Sequence, residues 1–253
     1  MQATRGTLLA GRVAYEQPAA GYRTGIEPVL LAACVPALAG QRVMEGGTGA
    51  GAALLCLAAR VPGVIGIGVE RDPAMAALAR RNAALNGWTG LDVEAADLLA
   101  LPAGPPLDHA MANPPWHPGD GTASLDPLRD AAKRARPGLV GEWALALGSR
   151  LRRGGTLTLV VPARAASEAL AALATAGCGT AALLPLWPEA GREARIVLVQ
   201  GLRDGRGGTR VLPGLVLHDG PQRYTAAAQA VLRDGAALSI GPSAIAGRLA
   251  QVP

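Results

Sequence analysis

From about residue 42 onward, short runs of β-branched residues alternate with alanine-rich stretches of helical length. This alternation constrains the fold more than any other feature. A strand that must be followed by a helical crossover before the next strand can pair builds a parallel sheet covered by helices. Arg42–Glu45 is the first predicted strand, ending at a glycine-rich turn and a helix that runs to about Arg60. Val64–Glu70 is the second. A helix from Pro73 to about Asn86 follows, with proline at its start and Gly87 just past its end. Leu91–Asp97 is the third strand, and Leu107–Ala112 is the fourth, stopped by Asn113-Pro114-Pro115-Trp116. After a loop rich in Gly, Pro, Asp and Arg, a helix over Leu139–Leu151 leads into the strand Thr156–Val161. Ala165–Ala176 is again helical. Ala181–Leu186 and Ala194–Gly201, joined by a tight Glu189–Arg192 connection, predict an antiparallel hairpin. The expected organisation is an N-terminal arm (1–41), an α/β domain (42–203) and a C-terminal extension (204–253) of unassigned role with one helix near Thr225–Arg233.

With 253 residues the chain is long enough to bury a full core. Half the residues are hydrophobic but Phe is absent and aromatics are only 3%, so the core is built from small aliphatic side chains and a well-placed aromatic stands out. The net charge is +5, and Lys133 is the only lysine, so the basicity is almost all arginine. Arginine's fork of donors suits phosphate, and a basic surface favours polyanions; a base-composition bias towards arginine explains the same count. Cys34, Cys56 and Cys178 lack metal-ligand spacing and read as buried thiols of a reducing compartment. Met1–Tyr15 has no signal-peptide core, and no run of apolar residues is long enough for a membrane span. The expectation is a cytoplasmic protein. His109 lies inside the fourth strand and His117 follows Trp116; neither has a metal partner at ligand spacing, and no metal is expected.

Glu45-Gly46-Gly47-Thr48-Gly49-Ala50-Gly51 closes the first strand. Glycines at 47, 49 and 51 permit a sharp turn and let the backbone approach a ligand with no Cβ in the way. The next helix adds its positive dipole end. Gly47, Gly49 and Ala52 also match the dinucleotide fingerprint, so a nicotinamide dinucleotide and S-adenosylmethionine both fit. Glu70, ending the second strand, suits either ligand, because both present ribose hydroxyls to a bidentate acceptor. Glu45 stands two residues ahead of Gly47, where methyltransferases usually carry an acid facing the methionine part of the cofactor. Asp97 is placed to accept from the cofactor's adenine amine. These three carboxylates, at the C-terminal ends of successive strands, line the crevice where open α/β sheets bind ligands.

At Asn113-Pro114-Pro115-Trp116 the prolines stop the strand and hold the backbone extended. The Asn113 side-chain oxygen and the Pro114 carbonyl then form two neighbouring acceptors. An exocyclic amine on a planar ring has two N–H donors and a lone pair delocalised into the ring. Accepting both hydrogens returns electron density to nitrogen as it attacks a sulfonium methyl. Trp116 offers a flat face for the base, worth roughly 1–3 kcal/mol of stacking.

Asn-Pro-Pro-aromatic resembles motif IV of the amino-methyltransferases, and Glu45–Gly51 resembles their motif I. The segment Gly21-Tyr22-Arg23-Thr24-Gly25-Ile26-Glu27-Pro28-Val29-Leu30-Leu31-Ala32-Ala33 resembles the bacterial tRNA(Val) adenine-N6 methyltransferase family. The similarity runs over about residues 5–203. Glu45 stands where Asp is commoner and Trp116 where Tyr or Phe is commoner. The resemblance implies a Rossmann-like class I methyltransferase fold, with a seven-stranded, mostly parallel sheet ending in an antiparallel hairpin. It implies S-adenosylmethionine as cofactor, tRNA as partner, and Thr24 and Glu27 closing the cofactor's methionine end beneath the N-terminal arm. Arg129, Lys133, Arg134 and Arg136 in the loop after the tetrapeptide become candidates for gripping phosphate while the base turns into the pocket. A solvated helix face with Asp126 and Asp130 interleaved accounts for them equally well. A protein glutamine methyltransferase, a DNA adenine or rRNA guanine-N2 methyltransferase and a non-catalytic scaffold remain as alternatives. A nicotinamide oxidoreductase leaves Asn113–Trp116 and Asp97 without a role.

Overall fold

The N-terminal arm forms more structure than its sequence announces. In the computed structural model β1 (Ala3–Leu8) and β2 (Val13–Pro18) pair as an antiparallel hairpin, and α1 (Glu27–Cys34) follows. The model describes residues 2–20, 23–115, 138–221 and 223–240, with the backbone alone of His117–Pro118 and Arg134–Ala135. Every residue of α1 from Pro28 to Cys34 is buried, as a helix that is apolar all round must be.

The alternating pattern then produces its crossovers in order: β3 (Arg42–Gly46), α2 (Ala52–Arg60), β4 (Ile65–Glu70), α3 (Pro73–Leu85), β5 (Leu91–Ala95) and β6 (Leu107–Ala112). Asp72 caps α3, its carboxylate accepting from the Ala74 and Met75 N–H groups, and Pro73 takes the first helical position. Such a cap contributes about 1 kcal/mol. Two-residue strands β7 (His117–Pro118) and β8 (Arg134–Ala135) pair in parallel. Next come α4 (Leu139–Gly148), β9 (Leu151–Pro162), α5 (Ala166–Thr175), β10 (Cys178–Glu189) and β11 (Ile196–Arg203). Strand β9 starts earlier than expected, because the Arg152–Gly155 stretch is accommodated by a register shift against β6.

The sheet order is β5-β4-β3-β6-β9-β11-β10, all parallel except β11, which pairs antiparallel with both neighbours. This is the class I arrangement. Two short strands from the tail, β12 (Arg210–Val211) and β13 (Leu215–His218), pair in parallel with β10 and bring the sheet to nine strands. The expected helix is α6 (Ala226–Leu232), capped by the Thr225 hydroxyl. Residues 204–240 therefore extend the sheet edge and cover it.

One face of the sheet packs on α1, α2 and α6 through residues such as Leu31, Leu55, Leu184, Leu186, Leu198 and Val231. The other packs on α4 and α5 through Leu147, Leu157, Leu159, Leu173 and Val199. His109 is buried in β6 between Thr156 Oγ1 (2.8 Å) and Gln41 Oε1 (3.0 Å), towards the strand end remote from the tetrapeptide. Burial pushes its pKa down to about 4, so it is a neutral structural tie. The three cysteines are free and buried, and burial pushes their thiol pKa values up. Among the described residues no helix is long and apolar enough to cross a membrane, and no three His, Cys, Asp or Glu side chains converge as a metal site.

Candidate active site

The glycine turn between β3 and α2 is held by its neighbour strand. Gly47 and Thr48 both donate their N–H groups to the Val69 carbonyl, at 2.8 and 3.1 Å, and Gly51 donates to Thr48 O at 2.8 Å. Gly47, Gly49 and Gly51 have φ of +66°, +57° and +88°, a region that costs other residues steric strain. A Cβ on Gly47 would lie 2.6 Å from Cη2 of Trp143 on α4. The turn is thus a backbone cradle, with an indole filling the space beside it.

Glu70 ends β4 and is oriented by two backbone donors: Gly49 N–H to Oε2 at 3.0 Å and Asp72 N–H to Oε1 at 2.9 Å. A carboxylate fixed in this way retains lone pairs for ribose hydroxyls. Glu45 lies beneath the turn, only 4% exposed, and accepts from Thr48 Oγ1 at 2.6 Å. Burial pushes its pKa up to about 8, with the nearby Glu70 charge adding to the rise and hydrogen bonds from Thr48 and the Leu54 backbone opposing it. Asp97 stands two residues past the end of β5, where its Oδ1 caps the short 3-10 turn Leu98–Ala100 through Leu99 N–H at 2.9 Å. Leu98 packs on Gly46.

The β6 register brings the tetrapeptide to the same place. Ala112 pairs with Gly46, so Asn113 emerges beside Gly47, with Pro114 buried next to it. Glu70, Asp97 and Asn113 therefore lie along one rim, with Glu45 buried beneath the glycine turn. Trp116, Arg129, Lys133 and Arg136, and the side chains of Arg134 and His117, lie outside the described residues; the Arg134 backbone pairs with His117.

Two residues that the sequence did not single out hold this rim together. Asn82 of α3 is fully buried. Its Nδ2 donates to Glu16 O (2.8 Å) and Ala50 O (2.9 Å), and its Oδ1 accepts from Glu16 N–H (2.8 Å). It ties β2 of the arm to the glycine turn. Thr24 hangs on the same strand: its hydroxyl bonds Tyr15 Oη at 2.7 Å and its N–H donates to Gln17. The second is Trp143, whose only sequence signal is the scarcity of aromatics.

A family model for the methyltransferase small domain matches residues 26–176. The chain belongs to this family. A tRNA1(Val) (adenine(37)-N6)-methyltransferase of Aeromonas hydrophila is 32% identical to this methyltransferase over 206 residues, 80% of this chain and 85% of that protein. A release factor glutamine methyltransferase of Deinococcus radiodurans is 37% identical over 148 residues, 54% of this chain and 51% of that protein. Among solved structures, a predicted O-methyltransferase from Agrobacterium tumefaciens superposes with a TM-score of 0.71 at 25% identity, over 84% of this chain and 98% of that one. A 16S rRNA N2 methyltransferase of T. thermophilus, solved with AdoMet and guanosine, shares the fold at 0.54 and 19% identity, over 80% of this chain and 50% of that one. The protein is an S-adenosylmethionine-dependent N-methyltransferase. The donor set is compatible with that cofactor: a glycine turn with positive φ at 47, 49 and 51, a Glu70 carboxylate held by two backbone N–H groups, and Asp97 just past the next strand.

Proposed function

We propose that this methyltransferase transfers its methyl group to the N6 amine of an adenine in tRNA. The observation that carries the reading is the register of β6, which stands Asn113 and Pro114 beside the glycine turn. In this reading Glu45 faces the methionine ammonium, Glu70 accepts the ribose hydroxyls and Asp97 accepts the adenine amine of the cofactor. The glycines at 47, 49 and 51 give the backbone its close approach. Thr24, anchored through Tyr15 to the strand that Asn82 ties to Ala50, closes the methionine end.

At the acceptor, Asn113 Oδ1 and the Pro114 carbonyl take the two N6 hydrogens. Pro115 keeps the backbone extended, and Trp116 stacks on the base. Holding both hydrogens raises electron density on nitrogen in the transition state more than in the ground state, which is the condition for lowering the barrier. No strong base is required, because the nitrogen turns acidic as its fourth bond forms. The cofactor supplies the electrophilic methyl. Arg129, Lys133, Arg134 and Arg136 follow the tetrapeptide in sequence and are assigned to the phosphates on either side of the turned-out base.

The similarity to adenine-N6 relatives over four-fifths of the chain supports tRNA. A second reading, methylation of a protein glutamine, is favoured by the match to release factor glutamine methyltransferases. That likeness covers about half of the Deinococcus enzyme and just over half of this chain. Asn113→Ala tests the acceptor assignment. Transfer should fall at least a hundredfold, with S-adenosylmethionine affinity within about twofold of wild type. A variant that retains turnover, or that loses cofactor binding instead, would contradict the assignment.

A further inference from the structure

The rim that carries Asn113 continues across the sheet. Ala112 of β6 pairs with Leu159 of β9, Pro162 with Ile196 of β11, Ile196 with Leu186 of β10, and Leu186 with Leu215 of β13. Strands β6, β9, β10 and β13 all run the same way, so Pro115, Pro162, Leu186 and Leu215 stand near one level. Trp187–Glu189 and Val216–His218 project just beyond it. At about 4.8 Å per strand, this end of the sheet lies roughly 15–20 Å from Asn113, a few nucleotides of extended chain.

A shallow cavity of about 480 Å³, wide open to solvent, lies there, lined by Trp187, Ala190, Gly191, Arg192, Glu193 and Val216. Trp187 is half-buried, and its indole is fixed by an Nε1–H hydrogen bond to Pro213 O at 3.0 Å. Beside Val216, the His218 and Tyr224 rings stack with centroids 4.8 Å apart, and His218 Nδ1 reaches Pro188 O at 3.1 Å.

Four arginines stand at this end of the strands, with Glu189, Glu193 and Asp219 among them. Arg164 follows the end of β9, and Arg195 precedes β11, its carbonyl accepting from Ala163 N–H. Arg192 sits in the β10–β11 turn and Arg223 beyond β13, with side chains 74% and 70% exposed. Glu189 and Asp219 lie within 4.0 and 2.7 Å of those two guanidiniums. Exposed pairs of this kind are worth little and give way to a phosphate.

A fixed indole, an exposed guanidinium and a carboxylate around one cavity match the three parts of a nucleotide: a flat base, a phosphate, and an exocyclic amine on the base edge. We propose that this cavity is a second nucleotide subsite of the RNA acceptor. It takes a base a few positions from the methylated adenine, stacked on Trp187, with its phosphate on Arg192 and an amine hydrogen accepted by Glu193. The tail strand β13 builds one wall, which gives residues 204–240 a part in substrate recognition.

The inference rests on the tRNA reading, and the test separates the two. Steady-state transfer to purified tRNA is measured for wild type, Trp187→Ala, Trp187→Phe and Arg192→Ala, alongside S-adenosylmethionine affinity. Trp187→Ala should raise KM for tRNA about tenfold or more, with cofactor affinity unchanged. Trp187→Phe, which keeps a stacking face but lacks the indole N–H, should restore most of the loss. Arg192→Ala should raise KM and lower the slope of log KM against log salt by about 0.7, as expected for one lost contact to single-stranded phosphate. Wild type active on tRNA with KM and salt slope unchanged in Arg192→Ala overturns the subsite alone, and so does an unchanged KM in a folded Trp187→Ala. Should Trp187→Ala fail to fold, the exposed Arg192 still decides. Wild type that labels protein and not tRNA overturns both readings.

Discussion

Two buried titratable side chains pull the stability of this protein in opposite directions. Glu45 has a pKa raised to about 8, against about 4.5 when exposed. Between those values the unfolded chain has lost a proton that the folded chain keeps, so stability falls as pH rises. His109 has a pKa lowered to about 4 from 6.5. Between those values the unfolded chain binds a proton that the folded chain refuses, so stability falls as pH falls. The two slopes oppose each other from about pH 4.5 to 6.5, and only the Glu45 slope remains from 6.5 to 8. Glu45→Gln should therefore raise Tm at pH 8 by a few degrees while weakening S-adenosylmethionine binding about tenfold or more. Thermal melts and calorimetric titration check both halves; a lower Tm with unchanged affinity would contradict the account. Asn82→Ala leaves three backbone groups without partners and should cost roughly 3 kcal/mol. A melt within a degree or two of wild type would show that the arm is not held this way. The placement of Glu45, Glu70, Asp97 and Asn113 at or near strand ends was legible because each stands at a short offset from the end of an apolar run. Asn82 and Trp143 were not, since a helical Asn and a helical Trp carry no local sign of what they meet across the fold.

At the scale of elements, the crossover pattern of residues 42–203 could be read because the central strands β3, β6, β9 and β11 are largely buried and the helices start or stop on Pro, Gly or Asp. The β1–β2 hairpin escaped because its outer face is exposed and its turn, Leu9-Ala10-Gly11, lacks the usual Asn-Gly signal. The tail strands escaped for a different reason. Two and four residues long, they become strands only by pairing with β10. This pairing makes a prediction. A chain ending at Arg203 would bare the edge of β10 together with the apolar surface under β13 and α6, an invitation to intermolecular pairing. Such a truncation should aggregate or melt well below the full chain. A soluble monomer with unchanged Tm would contradict the packing described for β12, β13 and α6.

For the whole molecule, fold and chemistry follow from one geometric fact: parallel strands deliver their C-terminal ends to a single rim. The carboxylates assigned above to the cofactor occupy β3 and β4 and the turn after β5, the tetrapeptide proposed for the acceptor leaves β6, and the arginines of the proposed second subsite follow along β9, β11 and β13. The acceptor molecule is the part that strand geometry does not dictate, because in the proposed reading a planar amine on adenine and one on glutamine would present the same two hydrogens to Asn113 and Pro114. The most direct measurement is transfer of a labelled methyl group from S-adenosylmethionine to total tRNA, total protein and DNA in parallel, with Asn113→Ala as control. Label recovered from tRNA as N6-methyladenine, and lost in the variant, is the predicted result. Label confined to protein, recovered on glutamine, would contradict it.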